Sequence, residues 1–479
     1  MEELKEKPTK YYIHMAVILV LMFGVGFLPP FGPITAYGMR VLGIFLGCIY
    51  AWTIGETIWP SILALVLLGL SGENSLGTIL SSAYGQQNVI MVVAALLYCY
   101  AISQSGVLEI IAERILSMKF AQKNPWTLAL AFFVTSAVAS ALVLASLPVV
   151  LLLWTMFYGI CEKIGAKPYS KYVTLVMIGI CISSYAGSLI MPYAAWTLFC
   201  MGIFQAMVPG AAFDPLSYSL FMLALNVVLI AVMVLLLKLL VGKIDYNPIE
   251  IDKSGKRFTV RQKIVLSSIA VLAAMIILPT LLPAGNPVGT FLSKIGALGS
   301  LVILPVVLMM CTYKRVPFVD INEGMKFGVT WNLIFLLATA LTLSSAIVSA
   351  DTGIAVLLSQ MFAPLLSGQS FVVVVAILVA LGTVITNCIN NVVTFTLITP
   401  IMFTYVSALG GDPVVAIILL IFTTLQGVVM PAGSILGALM HGNIEWLKGG
   451  MIYKYGTILE IALIVVVIVV GLPLATVLF

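Results

Sequence analysis

The chain has 479 residues, of which 62% are hydrophobic and only 9% are charged. Its mean hydropathy is +1.18. Soluble domains contain roughly 45–50% apolar and about 25% charged residues, so this composition excludes a soluble protein and predicts an all-α polytopic membrane protein. The net charge of +5 is small and gives no reason to expect a nucleic-acid partner. The seven cysteines show no CxxC or metal-ligand spacing, so we interpret them as small apolar core residues.

Long apolar segments separated by turn residues predict the first spans. They are Tyr12–Leu28, Tyr37–Trp52, Thr57–Leu70 and Val89–Ser103. The next segment, Gly106–Lys119, mixes apolar residues with Glu109, Glu113 and Arg114 at helical spacing. This pattern is typical of a helix that lies in the membrane interface and does not cross the bilayer.

Two interrupted apolar blocks complete the first half. Pro125–Phe157 is too long for one span and contains several hydroxyl side chains, so we expect a hairpin that enters and leaves by the same membrane face. Tyr172–Phe204 contains several serines, glycines and a proline, which predicts a discontinuous span. The span Tyr218–Leu240 then leads to the charged segment Gly242–Lys263, which we expect to be a cytoplasmic linker between two halves.

The second half repeats this order of elements. We expect spans at Ile264–Leu282, Ile295–Cys311 and Trp331–Val348, an interfacial helix at Thr352–Pro364, a hairpin at Gln369–Thr404, a broken span at Val414–Leu439 and a last span at Tyr455–Leu478. The predicted organisation is therefore scaffold helices (1–86), a first repeat core (87–241), the linker (242–263), further scaffold helices (264–330) and a second repeat core (331–479).

Lysine and arginine residues predict the orientation, because cytoplasmic loops are enriched in them. They place the N-terminal tail, the linker and the loops at Lys163–Lys171, Lys314-Arg315 and Lys448–Lys454 on the cytoplasmic side of the plasma (inner) membrane. With the hairpins counted as non-crossing, this arrangement needs about eleven spans, with the N-terminus inside and the C-terminus outside. An odd number of crossings then separates the two cores, which predicts an inverted-topology repeat.

Paired positions support the repeat. Before the interfacial helices, Ser105-Gly106 corresponds to Thr352-Gly353. At the hairpin exits, Pro148 corresponds to Pro400. In the broken spans, Gly187…Met191-Pro192 corresponds to Gly427…Met430-Pro431.

The strongest functional signal lies in the middle of the second hairpin, in the segment Thr386–Asn391 (TNCINN). Hydrogen bonding between helices explains one asparagine in hydrocarbon, but three amides within five positions favour a tip that is unwound around a solute. Inverted repeats with discontinuous helices place such sites near the bilayer midplane. There, helix N-termini attract an anion and unwound carbonyls can hold Na⁺.

With its interfacial helices, hairpins and broken spans in this order, the chain resembles the divalent anion/sodium symporter family of the ion transporter superfamily. That family carries a Ser-Asn-Thr triplet at each hairpin tip, where this chain has Val138-Ala139-Ser140 and Asn390-Asn391-Val392. The family's Thr-Pro-Pro-Asn runs are replaced by Gly187–Pro192 and Met430–Ser434. The resemblance implies an elevator-type homodimer that carries a small anion, above all a dicarboxylate or tricarboxylate, with Na⁺ and without an organic cofactor.

The resemblance implies two sets of site residues. The expected solute contacts are Ser140, Asn390, Asn391, Thr394, Ser188 and Ser434. The expected sodium ligands, by side chain or backbone carbonyl, are Ala139, Gly187, Asn387, Asn391 and Gly433. Since Ala139 stands where the family has asparagine, the first sodium site has lost a side-chain ligand, and transport or exchange without Na⁺ stays open.

Other functions also stay open. The sequence contains no HExxH or GxSxG motif, so we do not expect an enzyme. A channel would also use re-entrant loops, but broken spans opposite the hairpins favour alternating access. A monovalent organic-anion permease or a Na⁺/H⁺ antiporter of the same superfamily is a further alternative, although the scarcity of acidic residues in the spans argues against the antiporter.

The orientation can be tested by cysteine labelling. In a cysteine-free background, a membrane-impermeant maleimide should label Ser254→Cys from the cytoplasmic side alone, because the linker is rich in lysine and arginine. As the matched control, Asp412→Cys should be labelled from the outside alone. Labelling of Ser254→Cys from outside in intact cells would contradict the predicted topology.

Overall fold

The computed structural model describes residues 8–72, 75–211, 213–242, 257–283, 285–366 and 368–479. The helices of the first half are α1 Thr9–Leu19, α2 Ala36–Thr53, α3 Ile58–Ser71, α4 Leu76–Tyr84, α5 Gln87–Ser103, α6 Val107–Leu116, α7 Pro125–Val143, α8 Leu147–Ile164, α9 Lys171–Ser188, α10 Ala195–Met207 and α11 Pro215–Val241. After α1 the chain continues as a π-helical and then a 3₁₀ turn to Phe27. Most of the predicted linker, residues 243–256 with Ser254, lies outside the described residues.

The second half is also helical. Its helices are α12 Val260–Leu281, α13 Pro287–Met310, α14 Ile321–Glu323, α15 Trp331–Val348, α16 Ile354–Leu366, α17 Phe371–Cys388, α18 Asn391–Ala408, α19 Pro413–Thr424, α20 Ile435–Gly442, α21 Gly449–Val466 and α22 Leu472–Leu478. A π-helical turn, Val467–Gly471, joins α21 to α22. Two short antiparallel strands, β1 Thr312–Tyr313 and β2 Val316–Pro317, pair Thr312 with Pro317 and Tyr313 with Val316.

The predicted class, an all-α polytopic membrane protein, is confirmed. In the described part of the chain, eleven helices are long and apolar enough to cross a membrane. Four of them are the arms of the two helix pairs α7–α8 and α17–α18, so this number is not itself a count of crossings. The sequence analysis missed α4, which precedes α5 with a bend of 41° between them.

The first helix pair turns later than predicted. The break between α7 and α8 is at Leu144–Ser146, and Leu144 has a left-handed φ of 59°. Ser140 and Ala139, predicted at the tip, lie inside the last turns of α7 instead. The error has a physical reason, because Pro148 lies in the first turn of α8, where proline is well tolerated, whereas Pro400 lies in the middle of α18. The two prolines therefore do not occupy equivalent positions.

The second helix pair breaks where the amide cluster predicted. Helix α17 ends at Cys388 and α18 begins at Asn391, so only Ile389 and Asn390 lie between them. Ile389 has extended backbone, and Asn390 is also non-helical, with φ −54° and ψ 142°. The Oδ1 atom of Asn390 accepts a hydrogen bond from the backbone N–H of Val392 at 2.8 Å and caps α18.

The helices predicted to be interfacial, α6 and α16, begin in the same way. Gly106 and Gly353, which precede α6 and α16, have left-handed φ angles of 69° and 68°. The hydroxyl of Ser105 donates to the Ile102 carbonyl at 2.6 Å and accepts from Val107 N at 3.3 Å. Thr352 repeats this arrangement, donating to Ser349 O at 2.9 Å and accepting from Ile354 N at 3.4 Å. The predicted pairing of these positions is thus matched in local geometry, while the inverted orientation stays a prediction.

Each of these two helices also begins in contact with the other half of the chain. Gln262, in the first turn of α12, donates from Nε2 to the carbonyls of Ser105 and Gly106, both at 3.1 Å. In the reciprocal contact, the N–H of Thr35, just before α2, donates to the Thr352 carbonyl at 3.1 Å. These contacts join the two halves at the starts of α6 and α16.

Helix α9 is buried along its length and packs closely on α7. The hydroxyl of Ser136 in α7 donates to the Ile180 carbonyl of α9 at 2.8 Å. Near the end of α9, a Cβ atom added to Gly187 would overlap the backbone of Ala137. Glycine at this position therefore permits the close approach of the two helix backbones.

The substitution Gly187→Ala tests this packing. It should lower the free energy of unfolding by about 1–3 kcal/mol, because the new methyl group meets backbone that cannot rotate away. The control Gly159→Ala lies in α8, where an added Cβ meets nothing within 4 Å. That control should leave stability unchanged or raise it by up to about 1 kcal/mol through helix propensity. Thermal unfolding in detergent measures both, and equal stability of the two variants would contradict the packing argument.

Candidate functional site

The break of the second helix pair meets a second unwound segment, residues 425–434 between α19 and α20. Thr386, in the last turn of α17, places its Oγ1 atom 2.6 Å from the Thr424 carbonyl and 2.9 Å from Asn391 Oδ1. Asn391, the first residue of α18, donates from Nδ2 to the Leu425 carbonyl at 3.2 Å. The two ends of the helix pair are thereby tied to the end of α19.

Asn387 ties the same break to the unwound segment one turn further on. Its Nδ2 atom donates to the Thr383 carbonyl at 2.8 Å, and its Oδ1 atom accepts from the backbone N–H of Val429 at 2.8 Å. Asn387 and Asn391 are both buried, and their amides supply partners that backbone groups lose where the helices end. The predicted amides of Asn387 and Asn391 thus contact the unwound segment, where they are hydrogen-bond partners of its backbone.

Two glycines of the unwound segment, Gly427 and Gly433, pack closely against the end of α17 and the start of α18. A Cβ atom on Gly427 would be 2.6 Å from the Thr386 carbonyl oxygen and 2.9 Å from Asn391 Oδ1. A Cβ atom on Gly433 would be 2.8 Å from the Thr386 oxygen and 2.9 Å from the Gly427 oxygen. Carbonyl and amide oxygens therefore converge around the glycines, and this is the ligand type that Na⁺ and other hard cations prefer. No group of three or more His, Cys, Asp or Glu side chains suited to a metal occurs in the described residues.

The remaining predicted residues of the second core make local contacts. Thr394 Oγ1 is 3.2 Å from the carbonyl of Asn390, the residue that caps the start of α18. Ser434 Oγ accepts from Gly437 N at 3.0 Å and caps α20. The side chains of Asn390, Thr394 and Ser434 therefore form hydrogen bonds with nearby backbone groups at the starts of α18 and α20.

The predicted residues of the first core lie between α7 and α9. The hydroxyl oxygens of Ser140 and Ser184 are 2.6 Å apart, and Ser184 also bonds to the Ser146 backbone carbonyl at 3.2 Å. Ser188 donates to the Tyr185 carbonyl at 2.8 Å. Ser140, Ser188, Gly187 and Ala139 are all buried, so this cluster fixes the first helix pair to α9.

A tyrosine connects the two broken spans. The hydroxyl of Tyr185, in the last turn of α9, accepts from the Leu436 backbone N–H at 3.3 Å. At the start of α10, the indole N–H of Trp196 donates to the Ile421 carbonyl in α19 at 3.1 Å. The discontinuous helices of the two halves are thus in direct contact.

Sequence reasoning missed two buried polar residues beside the unwound segment. Gln426 is 0% exposed, and neither its amide oxygen nor its amide nitrogen has a hydrogen-bond partner within the described residues. Glu460, in α21, is 5% exposed, and neither carboxylate oxygen has a hydrogen-bond partner within the described residues. Glu460 had a signal in the sequence, because it is a lone acidic residue in an apolar span; Gln426 had no comparable signal.

A cavity of about 690 Å³ opens in another part of the molecule. It lies among α2, α3, α4 and α15, and its lining includes Tyr37, Ser71, Ser345, Ser349 and Asp351. A void of about 10 Å³ lies at the first break, beside Leu144 and Tyr193. The first break is thus tightly packed, and the 690 Å³ cavity does not involve any predicted site residue.

These features define a polytopic helical membrane protein with two helix pairs and two discontinuous helices that meet inside the helical core. The model of the citrate transporter family matches residues 13–397, which is most of the chain, and the protein belongs to this family of the ion transporter superfamily. The match ends within α18, so the unwound segment at 425–434 lies beyond it. No curated protein matches the sequence significantly.

Two solved transporters share the fold. The YdaH transporter of Alcanivorax borkumensis is 14% identical with a TM-score of 0.54, over 84% of this chain and 87% of that one. MtrF of Neisseria gonorrhoeae, described as illuminating a class of antimetabolite efflux pumps, is 14% identical with a TM-score of 0.52, over 95% of this chain and 97% of that one. At this identity the likeness concerns the fold alone. The narrower resemblance to the divalent anion/sodium symporters stays a prediction.

The role of Thr386 in holding the break can be measured. Thr386→Val should lower the free energy of unfolding by about 1–3 kcal/mol, because Asn391 Oδ1 and the Thr424 carbonyl each lose a buried partner. Thr383→Val is the matched control, since the Thr383 hydroxyl is also buried in α17 and, among the described residues, bonds to the Val379 carbonyl one turn back. That control should change stability by no more than about 0.5 kcal/mol. Unfolding in detergent measures both, and equal effects would refute a special role for Thr386.

Proposed function

We propose that the protein is a secondary active carrier that moves citrate or a related dicarboxylate or tricarboxylate across the cytoplasmic membrane by alternating access. Membership of the citrate transporter family supports the solute class. The observation that carries the proposal is the meeting of two unwound segments, Ile389-Asn390 and residues 425–434, inside the helical core. Unwound backbone at this depth is tolerated where it is buried in protein or lines a solute path.

Gln426 is the proposed solute contact of this site. A buried polar group without a partner costs roughly 1–3 kcal/mol, so its amide is in an unfavourable state in the arrangement described here. A carboxylate bound at the unwound segment would give the amide nitrogen an acceptor and recover that free energy. The N-terminus of α18, at Asn391, adds a favourable dipole for the same negative charge.

Coupling to Na⁺ is part of the proposal, at the oxygens of Thr386, Gly427 and Asn391 that surround Gly427 and Gly433. These oxygens fit a cation that binds carbonyl groups. In the first core, Ala139 has no side-chain oxygen, and the nearby hydroxyls of Ser140 and Ser184 are paired with each other. We therefore propose that any sodium site in the first core is weaker than the one in the second core. We also propose the homodimer, the elevator-type movement, and the orientation with the N-terminus inside.

Transport by the purified protein tests the proposed function. In liposomes loaded with unlabelled citrate, external labelled citrate should accumulate transiently by counterflow, saturate with concentration, and respond to replacement of Na⁺ by K⁺. Succinate and a monocarboxylate serve as competing solutes that define the class. Conductance without counterflow would indicate a channel, and absence of flux with any carboxylate would reject the proposal.

The substitution Gln426→Leu separates solute binding from folding. Because it removes an amide that has no partner in the structure, it should preserve or raise thermal stability. The KM for citrate should rise by at least about tenfold, which corresponds to the loss of one good polar contact. Gln104→Leu, at an exposed position after α5, is the matched control and should leave KM unchanged. An unchanged KM in a stable Gln426→Leu protein would remove Gln426 from the site.

A further inference from the structure

A second polar pocket, of about 430 Å³, lies between the start of α1 and the turn that joins α2 to α3. None of the proposed solute or sodium contacts lines it. Its lining comes from two elements: Pro8, Lys10, Tyr11 and His14 at the start of α1, and Ile54 and Glu56 in the turn. The pocket thus combines basic and acidic side chains at one end of three helices.

The spacing of residues in α1 directs the basic side chains into this pocket. Lys10, His14 and Ile18 are one turn apart and share a helix face, and Met22 continues this row in the π-helical turn. Ile18 and Met22 are buried. A Cβ atom added to Gly47 in α2 would overlap the Met22 side chain, so α1 packs closely on α2. This packing fixes the wall of the pocket that carries Lys10 and His14.

The turn between α2 and α3 holds the acidic side chain on the other wall. Gly55 has a φ of 90°, which reverses the chain after α2. The backbone N–H of Glu56 then donates to the Ala51 carbonyl at 2.9 Å. The carboxylate accepts at Oε2 from the indole N–H of Trp59 at 3.0 Å. Glu56 is therefore held in place by both its backbone and its side chain.

The opposite charges of this pocket do not neutralise each other directly. Within the described residues, no ion pair joins Lys10 to Glu56. The His14 ring is bonded through Nδ1 to the Tyr50 hydroxyl at 2.7 Å, which fixes its orientation. A simple anion in the pocket would meet the Glu56 carboxylate, and a simple cation would meet Lys10. A ligand that carries both charges matches both walls.

The pocket lies at the level where the helices enter the membrane. Helix α1, whose start lines the pocket, belongs to a candidate span that begins at Thr9. Tyr50 and Trp59, the partners of His14 and Glu56, lie at the same end of the helices. Tyrosine and tryptophan are enriched at the boundary between hydrocarbon and water, where lipid headgroups lie. The pocket is therefore at headgroup depth.

An exposed apolar face of α1 continues from the pocket toward the hydrocarbon. Ile13, Ala16, Val20 and Phe23 follow one another at helical spacing, and all four are exposed. Ile13 and Val20 have 60% and 67% of their surface exposed. This face offers contact to acyl chains directly below the charged groups.

We propose that this pocket binds a phospholipid whose headgroup carries both a phosphate and a primary amine, as in phosphatidylethanolamine. The phosphate binds beside Lys10 and His14, and the ammonium group binds beside Glu56. The acyl chains lie along the exposed face of α1. This lipid site is separate from the proposed transport site and does not depend on which solute is carried.

Native mass spectrometry of the delipidated, full-length protein tests the headgroup. The protein should bind phosphatidylethanolamine at least about fivefold more tightly than phosphatidylglycerol with the same acyl chains, because only the former has an ammonium group for Glu56. Glu56→Gln, which keeps an oxygen for Trp59, should lose this preference. The matched control Glu445→Gln, at an exposed position between α20 and α21, should keep it. Equal affinity of the wild-type protein for the two lipids, or an unchanged preference in folded Glu56→Gln, would overturn the proposal.

Two further measurements test the phosphate and the acyl chains. Lys10→Gln should weaken the binding of both lipids, whereas Lys454→Gln, at an exposed position in α21, should not. Unchanged binding of both lipids to Lys10→Gln would refute the placement of the phosphate. Glycerophosphoethanolamine has the same headgroup without acyl chains, and it should bind far more weakly than the lipid. Binding as tight as that of the lipid would show a site for a soluble ligand and overturn the lipid assignment.

Discussion

The structure depends on one constraint, which is that backbone N–H and C=O groups in hydrocarbon need partners inside the protein. An unbroken helix supplies them, but α17, α18, α19 and α20 all end or begin inside the helical core. Here the side chains of Thr386, Asn387 and Asn391 replace the missing helical partners, through bonds to the Thr424, Leu425 and Val429 backbone. Without these three side chains, the backbone groups of Thr424, Leu425 and Val429 would lose buried hydrogen-bond partners. The unwound conformation would then be strongly destabilised.

This constraint also explains how much of the molecule the sequence predicted. The second break was located correctly because amides in an apolar run have few other uses, so Asn387 and Asn391 identify the position directly. The first break was misplaced, since its hydroxyl residues, such as Ser140, also occur commonly inside membrane helices and the count from Pro148 assumed an equivalence that the structure lacks. Helix α4 was missed because it is short and lies beside a turn-rich stretch.

The binding chemistry was harder to predict than the fold. Periodicity and composition report on long segments, whereas a site is made of single side chains from distant parts of the sequence. Gln426 looks like any polar residue near a helix end, and only its burial without a partner distinguishes it. Glu460 is an acidic side chain buried within the last span, without a hydrogen-bond partner in the described residues.

The reciprocal contacts at the starts of α6 and α16 have a consequence for how the chain is made. The carbonyls of Ser105 and Gly106 receive their partner, Gln262, only after more than half of the protein has been synthesised. In the other direction, the Thr35 N–H waits for Thr352. The amino-terminal half is therefore incomplete when it first enters the bilayer, and the native arrangement at both positions is reached only once the carboxyl-terminal half has been inserted beside it.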